Sequence, residues 1–275
     1  MSDRGRGPMK ARIDGAWLEY DVRGEGAALV LLHAFPLGMS MWDGQCEALA
    51  PAYRVVRFGA RGFGESELAD GPLTMERIAD DAAALLDALG IERAVVGGCS
   101  MGGYAAFAFA RRHPHRLAGL ALLDTKAGAD GEEARQNRFA LARRVLDEGP
   151  GAAADAFLPK LLGQTTQRER PQLAARLRER ILATRPEAIA SALHGLAARE
   201  DSRATLATIR VPTLVLVGEE DTITPPAEAE AIARGVSGAR LVRIPRAGHL
   251  ANLENPPEVD RALRQFLARA VRAAP

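Results

Sequence analysis

Val95-Val96-Gly97-Gly98-Cys99-Ser100-Met101-Gly102-Gly103-Tyr104 is the stretch that decides the fold. An apolar run at residues 93–96 predicts a strand, and the alanine- and phenylalanine-rich run at residues 104–112 predicts a helix. Gly98-x-Ser100-x-Gly102 falls at the sharp turn between them, which is the nucleophile-elbow pattern. So tight a turn strains the serine backbone and crowds its neighbours, so the flanking positions need glycine. We therefore expect the Ser100 hydroxyl to stand exposed above the strand.

Two other interpretations of this stretch are open. The motif alone is also compatible with a glycine-rich turn that carries an incidental serine. Cys99 is a second possible nucleophile, but its neighbours are Gly98 and Ser100, so it lacks the symmetric glycines. We expect the Cys99 side chain to pack inward.

Composition limits the classes of protein that the chain fits. Its 275 residues suffice for one α/β domain with an insertion, or for two domains. The 36 basic and 35 acidic residues nearly cancel, which argues against nucleic acid or an anionic membrane as a partner. Cys46 and Cys99 supply neither a disulfide framework nor a zinc site. Residues 1–10 are polar and lack a signal-peptide core, so we expect a flexible N-terminus and a cytoplasmic protein.

Predicted strands and helices alternate along most of the chain. After a hairpin at residues 11–23 with its turn at Asp14-Gly15, strands are predicted at 29–32, 53–58, 117–123, 212–217 and 239–244. Helices are predicted at 41–50, 74–89, 226–234 and 257–271. This alternation is typical of a mostly parallel sheet with helices on both faces.

Residues 126–205 break the alternation, because strand patterns vanish and alanine, arginine, leucine and glutamate dominate. We interpret them as a lid of a few short helices inserted between two strands, and residues 11–125 and 206–275 as the core. An unrelated second helical domain is the alternative, and the return of strand patterns after residue 205 argues against it. Four lid arginines, Arg135, Arg138, Arg143 and Arg144, include a possible carboxylate binder, although such arginines more often form a solvated face.

Polar residues follow five of the predicted strands: His33, Ser100, Asp124, Asp221 and His249. In parallel sheets, functional sites lie beyond the carboxyl ends of the strands. A serine hydroxyl needs a base that is neutral near pH 7, which favours histidine. We assign His249 as the base, since it follows Gly248 on the loop after the last strand, whereas His33 is expected to brace its own loop.

The remaining three histidines suit other roles: His113 and His115 at a helix end, and His194 in the lid. The imidazole of His249 needs an acid to hold its tautomer. Asp221 is our choice, with Asp124 as the alternative. For the oxyanion we predict two backbone donors, the N–H of Met101 and that of Phe35.

With these residues and their order, the chain resembles the α/β-hydrolase superfamily from about residue 12 to residue 270. Gly218-Glu219-Glu220-Asp221-Thr222-Ile223-Thr224-Pro225-Pro226 and Ala247-Gly248-His249-Leu250-Ala251-Asn252-Leu253-Glu254-Asn255-Pro256 look most like 3-oxoadipate enol-lactonase-like hydrolases of bacteria and related esterases. The resemblance implies the α/β-hydrolase fold, a Ser100–Asp221–His249 triad and oxyanion positions at Phe35 and Met101. The chain departs from the common pattern at Gly59-Ala60-Arg61-Gly62, where relatives carry Asp-x-x-Gly, and at His33-Ala34 instead of His-Gly.

The predicted function is a serine hydrolase that cleaves a small carboxylic ester or lactone through an acyl-enzyme, with no cofactor and no metal. Carbon–carbon bond hydrolysis and cofactor-free perhydrolysis would reuse the same three residues. A non-catalytic small-molecule binding module is a third possibility, because a fold does not fix a function. A homo-oligomer is possible.

Overall fold

An eight-stranded sheet forms the centre of the protein, in a computed structural model that describes residues 8–273. The strands run β1 Met9–Ile13, β2 Ala16–Arg23, β3 Ala28–Leu32, β4 Arg54–Phe58, β5 Ala94–Cys99, β6 Leu117–Leu123, β7 Thr213–Gly218 and β8 Arg240–Ile244. Their order across the sheet is β1-β2-β4-β3-β5-β6-β7-β8. The pairs β1–β2 and β2–β4 are antiparallel and all others are parallel, as the alternating pattern predicts.

The hairpin of β1 and β2 turns at Asp14 and Gly15, which both have positive φ, as expected of an Asp-Gly turn. It begins earlier than predicted. Met9 and Lys10 pair with Tyr20 and Glu19 in β1, so assigning these two residues to a flexible terminus was wrong. The reason is that β2 is long enough to supply partner residues for the two residues that precede Ala11. The rest of that predicted segment, residues 1–7, lies outside the described residues.

Helices cover the sheet. The core helices are α1 Asp43–Leu49, α2 Met75–Ala88, α3 Met101–Arg112, α10 Pro226–Gly235, α11 Ala251–Glu254 and α12 Pro256–Ala273. Helix α2 packs against α3, and α1 packs against α12. Every residue of β3, β5 and β7 is buried, which requires cover on both faces of the central strands.

The turn at Ser100 is tighter than the sequence suggested. Strand β5 continues through the two glycines to Cys99, and α3 starts at Met101 rather than at residue 104. Continued pairing explains the longer strand, since Gly98 pairs with Leu32 and Cys99 with Leu123. Ser100 is therefore the single residue between strand and helix.

The segment between β6 and β7 is wholly helical. It holds α4 Glu132–Glu148, α5 Gly151–Leu161, α6 Gln164–Glu169, α7 Pro171–Leu182, α8 Pro186–Ala198 and α9 Arg203–Leu206. These helices are more numerous than predicted and several are long; α4 alone has 17 residues. Helix α4 packs along α8, and α5 packs against both α4 and α7. Within the described part of the chain, no helix is long and apolar enough to cross a membrane.

Candidate active site

Ser100 occupies a strained backbone position between β5 and α3, with φ of +52°. The flanking glycines are required by contact. A Cβ on Gly98 would lie 2.1 Å from the Gly102 carbonyl oxygen, and one on Gly102 would lie 2.1 Å from that of Leu32. The helix that starts at Met101 directs its positive dipole end and its free N–H groups toward this point. The local sequence therefore fixes both the position of the serine and the polarity of its surroundings.

The three residues predicted as nucleophile, base and acid form one hydrogen-bonded series. His249 Nε2 lies 2.8 Å from Ser100 Oγ, and His249 Nδ1 lies 2.8 Å from Asp221 Oδ2. Because the carboxylate can only accept, this series places the imidazole proton on Nδ1 and leaves Nε2 to accept from the serine hydroxyl. All three residues are buried; Ser100 is 8% exposed and His249 is 1% exposed.

The Asp221 carboxylate is held in place by the loop that follows β7. Its Oδ1 accepts the backbone N–H groups of Ile223 (2.8 Å) and Thr224 (3.0 Å). Its Oδ2 accepts from the Thr224 hydroxyl at 2.7 Å as well as from His249. Burial by itself would raise the pKa of Asp221, but the charge and hydrogen bond of His249 and the bonds from Thr224 bring that pKa below its ordinary value. The Asp221 carboxylate is therefore ionised beside the imidazole.

Asp124, the alternative acid, is used differently. Its Oδ1 accepts the N–H of Gly218 at 2.8 Å and its Oδ2 accepts that of Ala251 at 3.2 Å. These bonds connect the ends of β6 and β7 with the loop that carries His249. Burial, and then the charge of Asp221, raise the pKa of Asp124 well above its usual range. The contact with the imidazole belongs to Asp221 and not to Asp124.

Two glutamates join the helical segment between β6 and β7 to the loops that carry Asp221 and His249, and sequence reasoning missed both. Buried Glu254 accepts the N–H groups of Gly248 (2.9 Å) and Leu250 (3.2 Å), on either side of His249, and that of Gly163 in the lid (2.7 Å). Glu220, next to Asp221, accepts the N–H of Thr165 at 2.8 Å. The available signal for Glu254 was a charged residue directly after the mainly apolar stretch 250–253. Its three donors come from segments that only folding brings together.

The loop after β3 holds the predicted oxyanion donor Phe35. Neither the backbone N–H of Phe35 nor that of Met101 donates a hydrogen bond to any of residues 8–273. His33 braces this loop as predicted, because its Nε2 accepts the N–H of Ala60 at 3.0 Å and its Nδ1 lies 3.0 Å from the Ala34 carbonyl. Burial lowers the pKa of His33 to about 4, against the opposing effect of the Ala34 hydrogen bond. His33 is thus uncharged and connects the loop after β3 with the loop after β4.

Cys99 points away from the cavity. Its thiol is fully buried and lies 3.8 Å from the backbone carbonyl oxygen of His249. Burial raises the pKa of this thiol well above its ordinary value, so little thiolate forms. As expected, Cys99 packs inward.

A small cavity of about 30 Å³ opens at Ser100 Oγ and His249. It has room for about two water molecules. Apolar side chains such as Phe35, Met101 and Phe157 form most of its wall, and Arg138 from the lid helix α4 completes it. Elsewhere in the described chain, no group of three or more His, Cys, Asp or Glu side chains is arranged to hold a metal ion.

Known proteins resemble this chain in sequence and in structure. A family model described as "alpha/beta hydrolase fold" matches residues 27–256. Among curated proteins, 3-oxoadipate enol-lactonase 2 of Acinetobacter baylyi is 28% identical over 244 residues, covering 88% of this chain and 89% of the relative.

Solved structures give closer matches. A thermophilic esterase from Thermogutta terrifontis, solved with malate bound, is 43% identical with a TM-score of 0.93, covering 96% of this chain and 99% of the esterase. The enol-lactonase from Burkholderia xenovorans LB400 is 33% identical with a TM-score of 0.88, covering 94% of this chain and 100% of the lactonase. At these coverages, the likeness in both cases includes the helical segment between β6 and β7.

Proposed function

Because this chain belongs to the alpha/beta hydrolase fold family and is a hydrolase enzyme, we propose that it cleaves a small carboxylic ester or lactone with Ser100 as nucleophile. The observation that carries the proposal is the hydrogen-bonded series from Ser100 Oγ through His249 to Asp221, with 2.8 Å at each step. Esterases and enol-lactonases among the relatives support the substrate class.

In the first half of the reaction, Ser100 Oγ attacks the substrate carbonyl carbon while His249 Nε2 takes the hydroxyl proton. Asp221 holds the Nδ1 proton and stabilises the imidazolium that results. The carbonyl oxygen becomes negatively charged and accepts hydrogen bonds from the free N–H groups of Phe35 and Met101. Return of the proton from Nε2 to the leaving alkoxide gives the acyl-enzyme and the alcohol.

In the second half, a water molecule gives its proton to His249 Nε2 and attacks the acyl carbon. The same two N–H groups stabilise the second oxyanion, and the proton then passes to Ser100 Oγ as the carboxylic acid leaves. For a lactone, the leaving alkoxide stays attached to the acyl group, so ring opening yields a single hydroxy acid.

The predicted cytoplasmic location and possible homo-oligomer stay predictions.

Hydrolysis of 4-nitrophenyl butyrate tests the proposal, with Ser100→Ala as the variant and Ser237→Ala, at an exposed serine, as the matched control. Ser100→Ala is expected to lower kcat by a factor of about 10³ or more, and Ser237→Ala to leave it unchanged. A fluorophosphonate probe should label the wild-type protein at Ser100 only. A folded wild-type protein that resists the probe would favour a binding module instead. Full activity in Ser100→Ala would rule out the proposal.

A further inference from the structure

Arg138 is the lid arginine that reaches the cavity at Ser100. Helix α4 carries four arginines, and Arg135, Arg143 and Arg144 are all exposed. Arg138 lies on the inner side of the helix and lines the cavity with Ser100 and His249. The other cavity side chains are mainly apolar, so the guanidinium is the permanent charge in the wall.

The surroundings of Arg138 carry an excess of positive charge. Its Nε donates to Asp130, whose carboxylate is also shared with Arg199 at 2.8 Å and with Lys126 at 3.4 Å. Three cations therefore share one carboxylate. Burial would raise the pKa of Asp130, but hydrogen bonds from Arg199 and Arg138 bring it well below its ordinary range, so the carboxylate stays ionised. The cluster bears a net charge of about +2 beside an apolar cavity, where a charge is weakly screened.

Two of the three guanidinium nitrogen atoms of Arg138 are free to bind a ligand. Among the described residues, none accepts a hydrogen bond from its Nη1 or Nη2, because Asp130 binds at Nε. Tyr104 lines the same cavity, and the guanidinium of Arg199 stacks 4.3 Å from the centre of its ring. Burial raises the pKa of the Tyr104 hydroxyl, and the charges of Arg199 and Arg138 oppose that shift, so both cations act on this hydroxyl.

We propose that Arg138 binds an ionised carboxylate carried by the substrate, so that the enzyme prefers esters and lactones that bear a second, anionic carboxyl group. This inference rests on the proposed function, since it concerns the same cavity. The unused Nη1 and Nη2 atoms match the geometry of a carboxylate, and the tie to Asp130 holds the guanidinium in place before the substrate arrives.

Competition against a neutral reporter substrate tests this directly. Hydrolysis of 4-nitrophenyl butyrate is measured with two competitors: monomethyl succinate, which is an anion at pH 7.5, and methyl succinamate, in which a neutral amide replaces the carboxylate. We expect the wild type to bind the anion more tightly, with a Ki at least about tenfold lower than that of the amide, since hydrogen bonds to charged groups are the stronger ones.

Substitution of the arginine then isolates its part. Arg138→Met is expected to raise the Ki of monomethyl succinate by about tenfold to a hundredfold, while the Ki of the amide changes little. Arg138→Lys, which keeps the charge and loses the fork, should fall between the two. Arg143→Met, on the exposed side of the same helix, is the matched control and should leave both constants unchanged. Melting temperatures establish that each variant is folded; Asp130 keeps Arg199 and Lys126 as partners in Arg138→Met.

Failure of the inference differs from failure of the proposed function. A ratio of the two Ki values that is equal in the wild type and in Arg138→Met, or a wild type that binds the amide as tightly as the anion, would overturn the role of Arg138. Absence of any Ser100-dependent hydrolysis would overturn the proposed function alone. In that case calorimetric titration of the wild type and Arg138→Met with monomethyl succinate still decides the binding claim, since it requires no turnover.

Discussion

Replacing Asp221 by asparagine tests the assignment of the acid, because the structure dictates how the new amide must orient. The backbone N–H groups of Ile223 and Thr224 point at Oδ1, so only the amide oxygen can occupy that position. The NH₂ group must then occupy the Oδ2 position and donate to His249 Nδ1. The imidazole proton is forced onto Nε2, which can no longer accept the proton of Ser100.

The expected cost follows from this exchange of tautomers. We expect Asp221→Asn to lower kcat by about 10⁴-fold, which corresponds to about 5 kcal/mol of transition-state stabilisation. The fold should survive, because the two backbone N–H groups and the Thr224 hydroxyl keep a neighbour of the same shape. The assay is initial-rate hydrolysis of 4-nitrophenyl butyrate, with thermal unfolding as the measure of stability.

Asp124→Asn is the matched comparison, since it changes a second buried aspartate of this region. Both of its oxygens accept backbone N–H groups, from Gly218 and Ala251, so the new NH₂ group must oppose one of them and lower the melting temperature. Neither oxygen accepts from the imidazole, so we expect kcat to stay within about tenfold of the wild type. If Asp221→Asn retained a tenth of the wild-type kcat, or if Asp124→Asn were the more damaging change, the assignment of Asp221 as the acid would be refuted.

Two further predictions concern stability. His33 has a pKa of about 4 when folded against 6.5 as its ordinary value, so the unfolded chain binds the proton first as pH falls. The contribution of neutral His33 to stability is therefore complete above about pH 6.5, and about 3 kcal/mol of it is lost as the pH drops to 4. Urea unfolding at pH 7 and pH 4 should show a smaller loss in His33→Gln, and equal losses would contradict this. Gly98→Ala should cost about 1–3 kcal/mol or more and displace Ser100, since its Cβ would meet the Gly102 carbonyl at 2.1 Å. Gly44→Ala, where a Cβ meets nothing within 4 Å, is the control, and a similar melting temperature for both variants would argue against the steric explanation.

The parts of the site that the sequence predicted depend on short-range sterics and on strand ends. Gly98 and Gly102 flank Ser100 because the turn leaves no room for side chains, and that constraint lies within five residues. Asp221 and His249 follow the ends of β7 and β8, and parallel neighbours end at the same edge of a sheet. The bracing role of His33 followed from the same position beyond β3.

What the sequence left open depends on contacts between distant segments. Four arginines on α4 look alike in the sequence, and only the packing of α4 against α8 turns Arg138 toward Ser100. Glu254 reads as one more charged residue, yet it receives hydrogen bonds from both sides of His249 and from the lid. The extension of β1 to Met9 likewise depends on its partner strand rather than on its own residues.

By itself, then, the sequence determined the elbow at Ser100 and the alternation of strands and helices, because each is encoded in neighbouring residues. Tertiary structure alone decided the 2.8 Å approach of His249 to Ser100 across 149 positions of chain, and the choice of Asp221 over Asp124. The physical reason is that a hydrogen bond needs tenths of an ångström, and that precision arises only when the sheet, the loops and the lid pack together.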